Sequence, residues 1–155
     1  MKFERKTLPQ KTYIYIEHTI AISGPEITQA MGTGFGELFM LLQKTGVAPI
    51  SAPMAIYPDM PSNNQMTFRT AFAVEDGDAQ KFAGQVEADI IPAGDAVMGL
   101  HVGPYMGLGQ THQALWKYME GEGISGSFVW EVYIDDPDAV AEAELRTEVY
   151  RGVAS

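Results

Sequence analysis

The chain matches itself. Leu8-Pro9-Gln10-Lys11-Thr12-Tyr13-Ile14-Tyr15-Ile16-Glu17-His18-Thr19 aligns with Ile91-Pro92-Ala93-Gly94-Asp95-Ala96-Val97-Met98-Gly99-Leu100-His101-Val102, with nine positions from Pro9 to His18 and nine from Pro92 to His101. At a shift of 77, Leu38 falls on Leu115, Phe39 on Trp116, Leu42 on Met119 and Gly46 on Gly123. Ile56-Tyr57 then meets Val132-Tyr133, and Phe68-Arg69-Thr70 meets Leu145-Arg146-Thr147. Blocks repeated in one order argue for a duplicated unit, which restricts the chain to two copies of one supersecondary pattern.

Each copy reads strand, helix, strand, strand. The first strand, Thr12 to Ile16, is β-branched and aromatic after a proline. The first helix carries Ile27, Ala30, Met31, Leu38, Phe39 and Leu42 at helical steps, and Gly46 stops it in the left-handed conformation glycine adopts cheaply. The second helix keeps Leu115, Trp116 and Met119 on one stripe, ahead of Gly121 and Gly123. Paired strands are expected around 53–58 and 66–74, and around 128–134 and 143–150. Their links, Pro58 to Gln65 and Asp135 to Glu142, have the Pro, Asp and Asn content of hairpin connections. Met31, Met40 and Met119 suit core filling, as Met54 does, although Met54 would also soften a pocket wall.

A copy of this size leaves one sheet face bare, so the copies are expected to share a single domain over residues 1–155, with repeats at about 4–76 and 85–153. The expected fold class is α+β: tandem β-α-β-β repeats about a pseudo-two-fold axis, an antiparallel sheet with helices on one face, and a ligand groove between the repeats. Residues 75–80 form the expected link.

Charge narrows the function. Ten Lys and Arg face 20 Asp and Glu, a net charge of −10. Direct nucleic-acid binding through a basic face is therefore not expected, nor is an anionic membrane. Cysteine is absent, which removes a disulfide framework and a thiol nucleophile. No apolar run approaches the roughly 18 residues of a membrane span, and no signal peptide is visible. A cytoplasmic protein is expected.

The duplication also supplies an internal control. Glu131 stands where the first copy has Ala55, and Glu148 stands where it has Ala71. Alternation puts Glu131 and Tyr133 on one strand face. If the helices cover the face of Trp130, Val132 and Ile134, Glu131 and Tyr133 point into the groove. There a carboxylate would bind a cationic aromatic ligand or serve as an acid or base. The ordinary alternative is a solvent-facing strand glutamate paired with an arginine of the next strand.

Other candidates read as structural. His18 and His101 are repeat-related strand-end residues without metal-ligand spacing, so no metal is expected, and His112 is a packed helix residue. Gly32-Thr33-Gly34-Phe35-Gly36 fits neither nucleotide fingerprint and is read as permitting close approach or a loose first helical turn. No serine triad is visible, and no cofactor is expected.

His101-Val102-Gly103-Pro104-Tyr105, Trp130-Glu131-Val132-Tyr133-Ile134-Asp135-Asp136-Pro137 and Glu144-Leu145-Arg146-Thr147-Glu148-Val149-Tyr150, with the fainter copy Ala55-Ile56-Tyr57-Pro58-Asp59, resemble the GyrI-like effector-binding domain. That module is found in AraC- and MerR-type bacterial regulators and as a free-standing protein, and the resemblance covers about residues 4–153. It implies a tandem fold with a ligand groove and a multidrug-binding role, in which Glu131 matches the acid that contacts cationic aromatic drugs. In some free-standing relatives the acid of this strand hydrolyses cyclopropane-bearing genotoxins, and Glu131 matches it too. The resemblance carries Glu131, Tyr15 and Phe35 as ligand-binding positions, and with the residues singled out above the candidate ligand-binding set is Glu131, Tyr133, Glu148, Trp130, Tyr57, Phe35 and Tyr15. The sequence departs from the family at Tyr150-Arg151-Gly152-Val153 and at Ile20-Ala21-Ile22-Ser23. Three functions follow: a free-standing binder of apolar, including cationic aromatic, molecules; a metal-independent hydrolase of strained electrophiles with Glu131 as acid or base; and an acidic inhibitor of a nucleic-acid enzyme, acting through a protein partner.

Overall fold

Two prolines divide the strands. A proline cannot donate to a sheet ladder, so a strand that reaches one must end or change partners. The computed structural model describes residues 2–58 and 64–154. Its strands are β1 (Phe3–Leu8), β2 (Lys11–Ala21), β3 (Met54–Tyr57), β4 (Gln65–Ala73), β5 (Glu87–Ile91), β6 (Gly94–Val102), β7 (Gly126–Tyr133) and β8 (Arg146–Val153), and its helices are α1 (Gly24–Thr45) and α2 (Leu108–Gly121). Pro9 separates β1 from β2, and Pro92 separates β5 from β6. The chain divides at the same points into two compact units, Gln10–Pro92 and Met1–Pro9 with Ala93–Ser155.

In the unit Gln10–Pro92 the strands run β5-β2-β4-β3, all antiparallel. Ser23 caps α1 by accepting the Glu26 amide at 3.3 Å, and Gly46 ends it at φ 75°, as expected from the sequence. Leu38 and Leu42 of α1 pack on Ile14 of β2 and Phe72 of β4, with Val47, Val74 and Phe82. The stripe is rotated from the one expected. Phe39 is 50% exposed and Met40 70% exposed, because Leu38 faces the sheet and each further residue turns about 100° away. Met54 is fully buried. Residues 75–80 lie largely in a short 3-10 helix, Asp76–Phe82, that buries Phe82. The expected hairpin link between β3 and β4 lies mostly outside the described residues.

The glycine-rich stretch falls inside α1, not in a first turn. Gly34 lets the helix approach the sheet closely: a side chain there would collide with Thr70 Oγ1 and meet His18 Nε2 at 2.7 Å. The close-approach reading holds.

The other unit has the same strand order, β1-β6-β8-β7, again antiparallel. Leu108, Leu115 and Met119 of α2 pack on Val97 of β6 and Val149 of β8. Each unit is thus an antiparallel sheet with a helix on one face, and each carries a strand beyond the β-α-β-β pattern, β5 in one and β1 in the other. β1 escapes detection in the sequence because half of Phe3-Glu4-Arg5-Lys6-Thr7-Leu8 is charged, in one consecutive run. It is anchored by Phe3, which packs on Tyr118 at 5.3 Å and covers Gly99, where a Cβ would lie 2.6 Å from its ring. Among the described residues no helix is long and apolar enough to cross a membrane.

Candidate functional site

Strand alternation builds the site. On β7, Glu131 stands opposite Val149, a core residue beneath α2, whereas Trp130 stands opposite Tyr150. The covered face of β7 is therefore that of Glu131 and Tyr133. This reverses the expected arrangement, in which the helices covered Trp130, Val132 and Ile134. The physical reason lies in β8, where Val149 supplies the apolar contact for Leu115 and Met119 and fixes which side α2 takes.

Glu131 is 4% exposed, so the solvent-facing reading does not hold for it. Tyr133 Oη donates to Glu131 Oε1 at 2.6 Å, and His112 Nε2 lies 2.8 Å from Oε2. With a carboxylate that only accepts, the contact to His112 requires the hydrogen to sit on Nε2. Burying a carboxylate is costly unless its oxygens find donors, and these bonds offset that cost. His112 was read from the sequence as a packed helix residue. It is that, and also the partner of Glu131. Its place three residues before Leu115 and seven before Met119, on the buried stripe of α2, was the available signal. His112 Nδ1 and Thr147 Oγ1 are buried with no partner among the described residues.

The loop after β6 adds an aromatic wall. His101 Nε2 donates to the Pro104 carbonyl at 2.8 Å, and Nδ1 lies 2.8 Å from Thr111 Oγ1 on α2. These bonds hold the short turn Tyr105–Gly107, and Gly107 has no side chain because His101 Cε1 lies 3.0 Å from where a Cβ would sit. Tyr105 meets Tyr133 edge to face at 5.5 Å. Burial pushes the Tyr105 phenol up, and the charges of Asp136, Asp135 and Glu131 push the same way. A cavity of about 290 Å³ opens beside it, lined by Pro104, Tyr105, Met106, Pro137, Glu142 and Leu145.

The remaining candidates take other positions. Trp130 stacks on Tyr150 at 5.0 Å on the face away from α2, and Tyr150 Oη donates to Glu148 Oε1 at 3.0 Å. Trp130 and Glu148 thus sit on the opposite side of the sheet from Glu131 and Tyr133. In the unit Gln10–Pro92, Phe35 of α1 meets Phe72 at 6.0 Å and Tyr57 of β3 meets Phe68 at 6.1 Å. Tyr15 lies on the face away from α1, with the Arg69 guanidinium 4.1 Å from its ring centre. His18, inside β2 and not at its end, has Nε2 3.0 Å from Thr70 Oγ1.

A buried carboxylate is thus held between a helix histidine and a strand tyrosine, with the Tyr105 ring against that tyrosine, on an antiparallel α+β scaffold. The chain belongs to the GyrI-like family, described as the GyrI-like small molecule binding domain, which matches residues 1–153. Among solved structures, the EcmrR C-terminal domain is similar with a TM-score of 0.79 and 21% identity, over 99% of this chain and 98% of that one. SAV2435 bound to tetraphenylphosphonium is similar with a TM-score of 0.68 and 12% identity, over 100% and 95%. A hydrolase from Listeria innocua is similar with a TM-score of 0.66 and 16% identity, over 99% and 92%. At these identities the likeness concerns the fold. No curated protein matches the sequence.

Proposed function

We propose that this GyrI-like domain binds apolar, cationic aromatic molecules, with Glu131 as their counter-charge. The observation that carries the reading is the burial of Glu131 beside Tyr133 and Tyr105. A lipophilic cation spreads its charge over a large volume and sheds water cheaply, so a buried carboxylate selects it over a small hydrated ion. Aromatic faces add roughly 0.5–2 kcal/mol per desolvated contact. The fold neighbour bound to tetraphenylphosphonium names a suitable probe. Calorimetric titration with that cation is expected to give saturable binding that weakens at least about tenfold in Glu131→Gln, in keeping with the loss of a desolvated charge pair. Equal affinity for both proteins removes Glu131 from the reading.

A second reading is hydrolysis of a strained electrophile. It is supported by the carboxylate's position between two hydrogen-bonding groups, His112 and Tyr133, which orient it as a metal-independent base. Glu131 would take a proton from water as the water oxygen bonds to a ring carbon and the carbon–carbon bond opens, and the carboxylic acid so formed would return that proton to the leaving carbon, so that one water adds across the bond and Glu131 is regenerated. Incubation with a cyclopropane-bearing alkylator, followed by mass spectrometry, separates the two. Many product molecules per protein favour catalysis, and loss of at most one equivalent favours binding.

A further inference from the structure

We propose that Arg151 and Trp116 form a second ligand site, for a monocarboxylate with an apolar body, on the helix-covered face of the unit Met1–Pro9 with Ala93–Ser155. The inference goes beyond the proposed function and does not depend on Glu131 acting as a counter-charge.

Its partners set Arg151 apart from the other arginines. The chain has 20 acidic residues for 10 basic ones, so an arginine finds a carboxylate easily. Arg5 pairs with Asp95 at 2.9 Å, Arg69 with Asp89 at 2.7 Å and Arg146 with Asp135 at 2.8 Å. Arg151 has neither an ion pair nor a hydrogen bond among the described residues. Its guanidinium lies instead 4.6 Å from the ring centre of Trp116 on α2. Arg151 Nε is buried without a partner among the described residues, and so is Trp116 Nε1. Folding carries the cost of both unpaired donors, and no contact among the described residues offsets it.

The local structure holds the guanidinium in place. Arg151 stands opposite Val97 of β6 and Val129 of β7, on the face that carries Val149, so it points toward α2. Gly126 leaves room for it, since a Cβ there would collide with Arg151 Nε and lie 2.5 Å from Cζ. Beside it the pairing of β7 with β8 shifts register between Gly126 and Val129.

The chemistry of the pair selects the ligand. Guanidinium and indole offer donors and no acceptor. Nε is closed off, which leaves Nη1 and Nη2, and the two oxygens of a planar carboxylate match that in-plane pair. The indole face beneath the guanidinium replaces part of its hydration and keeps it flat. Val129, Val153 and Trp116 are each half-buried on the same face, so an apolar body attached to the carboxylate has apolar surface to cover. The net charge of −10 repels a polyanion more than a monoanion, which favours a single carboxylate over phosphate.

The test is a calorimetric titration of the intact protein with naphthalene-2-carboxylate, alongside naphthalene-2-methanol and inorganic phosphate. The carboxylate is expected to bind saturably, at least about tenfold more tightly than the alcohol or phosphate, and at least about tenfold more weakly to Arg151→Gln than to wild type. Absence of saturable binding overturns the proposal, and so does equal affinity in Arg151→Gln. An alcohol that binds as tightly as the carboxylate overturns the role of the guanidinium, and phosphate that does so overturns the ligand class. Should Arg151→Gln fail to fold, ¹H–¹⁵N spectra of the wild-type protein decide. The chain has two tryptophans, and Trp130 stacks on Tyr150 on the face away from α2. The indole signal of Trp116, identified by its loss in Trp116→Phe, must move with the carboxylate while that of Trp130 stays. An unmoved Trp116 signal, or two signals that move alike, overturns the proposal.

Discussion

Gly34 of α1 lies directly over Thr70 of β4, so close that a side chain on the glycine would occupy the space of the threonine hydroxyl. Thr70 is fully buried and cannot move aside without losing its contact with His18 at 3.0 Å. The position shows the packing of a helix on a sheet overriding local preference, because glycine is a poor helix former.

Gly34→Ala is therefore expected to destabilise the protein by about 1–3 kcal/mol, although alanine alone would favour the helix by roughly 1 kcal/mol. Gly36→Ala, two residues on with open space around it, is expected to stabilise by about 0.5–1 kcal/mol. Urea melts of both variants check the pair, and two changes of the same sign would contradict the packing argument.

Tyr133→Phe removes the donor that reaches Glu131 Oε1 at 2.6 Å. A buried carboxylate that loses a partner costs about 1–3 kcal/mol, and the variant should melt correspondingly earlier. Retention of wild-type stability would mean that the bond is not formed in solution.

His18 carries a dependence on pH. Burial holds its imidazole below the usual 6.5, partly offset by Glu37. The unfolded chain therefore binds the proton more readily than the native one. This contribution to stability is complete above about pH 6.5 and declines as the pH falls from there toward the lowered native value. Chemical melts at pH values either side of this range should show a smaller acid loss in His18→Gln than in wild type.

Phe3→Ala tests the anchoring of β1. Its ring covers Gly99 and packs on Tyr118, so its loss should cost about 2–4 kcal/mol. Amide exchange in β1 should then quicken ahead of exchange in β8. Uniform protection across both strands would show that backbone pairing with β6 suffices.

The site residues were legible in the sequence to different depths. Glu131 and Tyr133 share a face because alternate strand residues must, and the comparison with Ala55 singled Glu131 out. His101 and His18, which the sequence offers as structural, reach Thr111 and Thr70. His112 was legible as a packed helix residue and not as the partner of Glu131, because 19 residues separate the two and no local rule spans that distance. Trp130 and Glu148 were grouped with Glu131 by motif, yet they lie across the sheet from it, since neighbours along a strand point to opposite sides.

What the sequence determined by itself was local. Ser23 and Gly46 bound α1, alternation sorted β7 into two faces, and repeated blocks marked two copies of one pattern. These follow from backbone geometry and capping, which act over a few residues. Tertiary structure alone decided that α2 covers the Glu131 face, that Phe39 and Met40 turn outward, and that β1 joins β6 across some 90 residues of chain. Each of these depends on apolar surface finding apolar surface between distant segments, and a linear pattern records which residues are apolar without recording what they will meet.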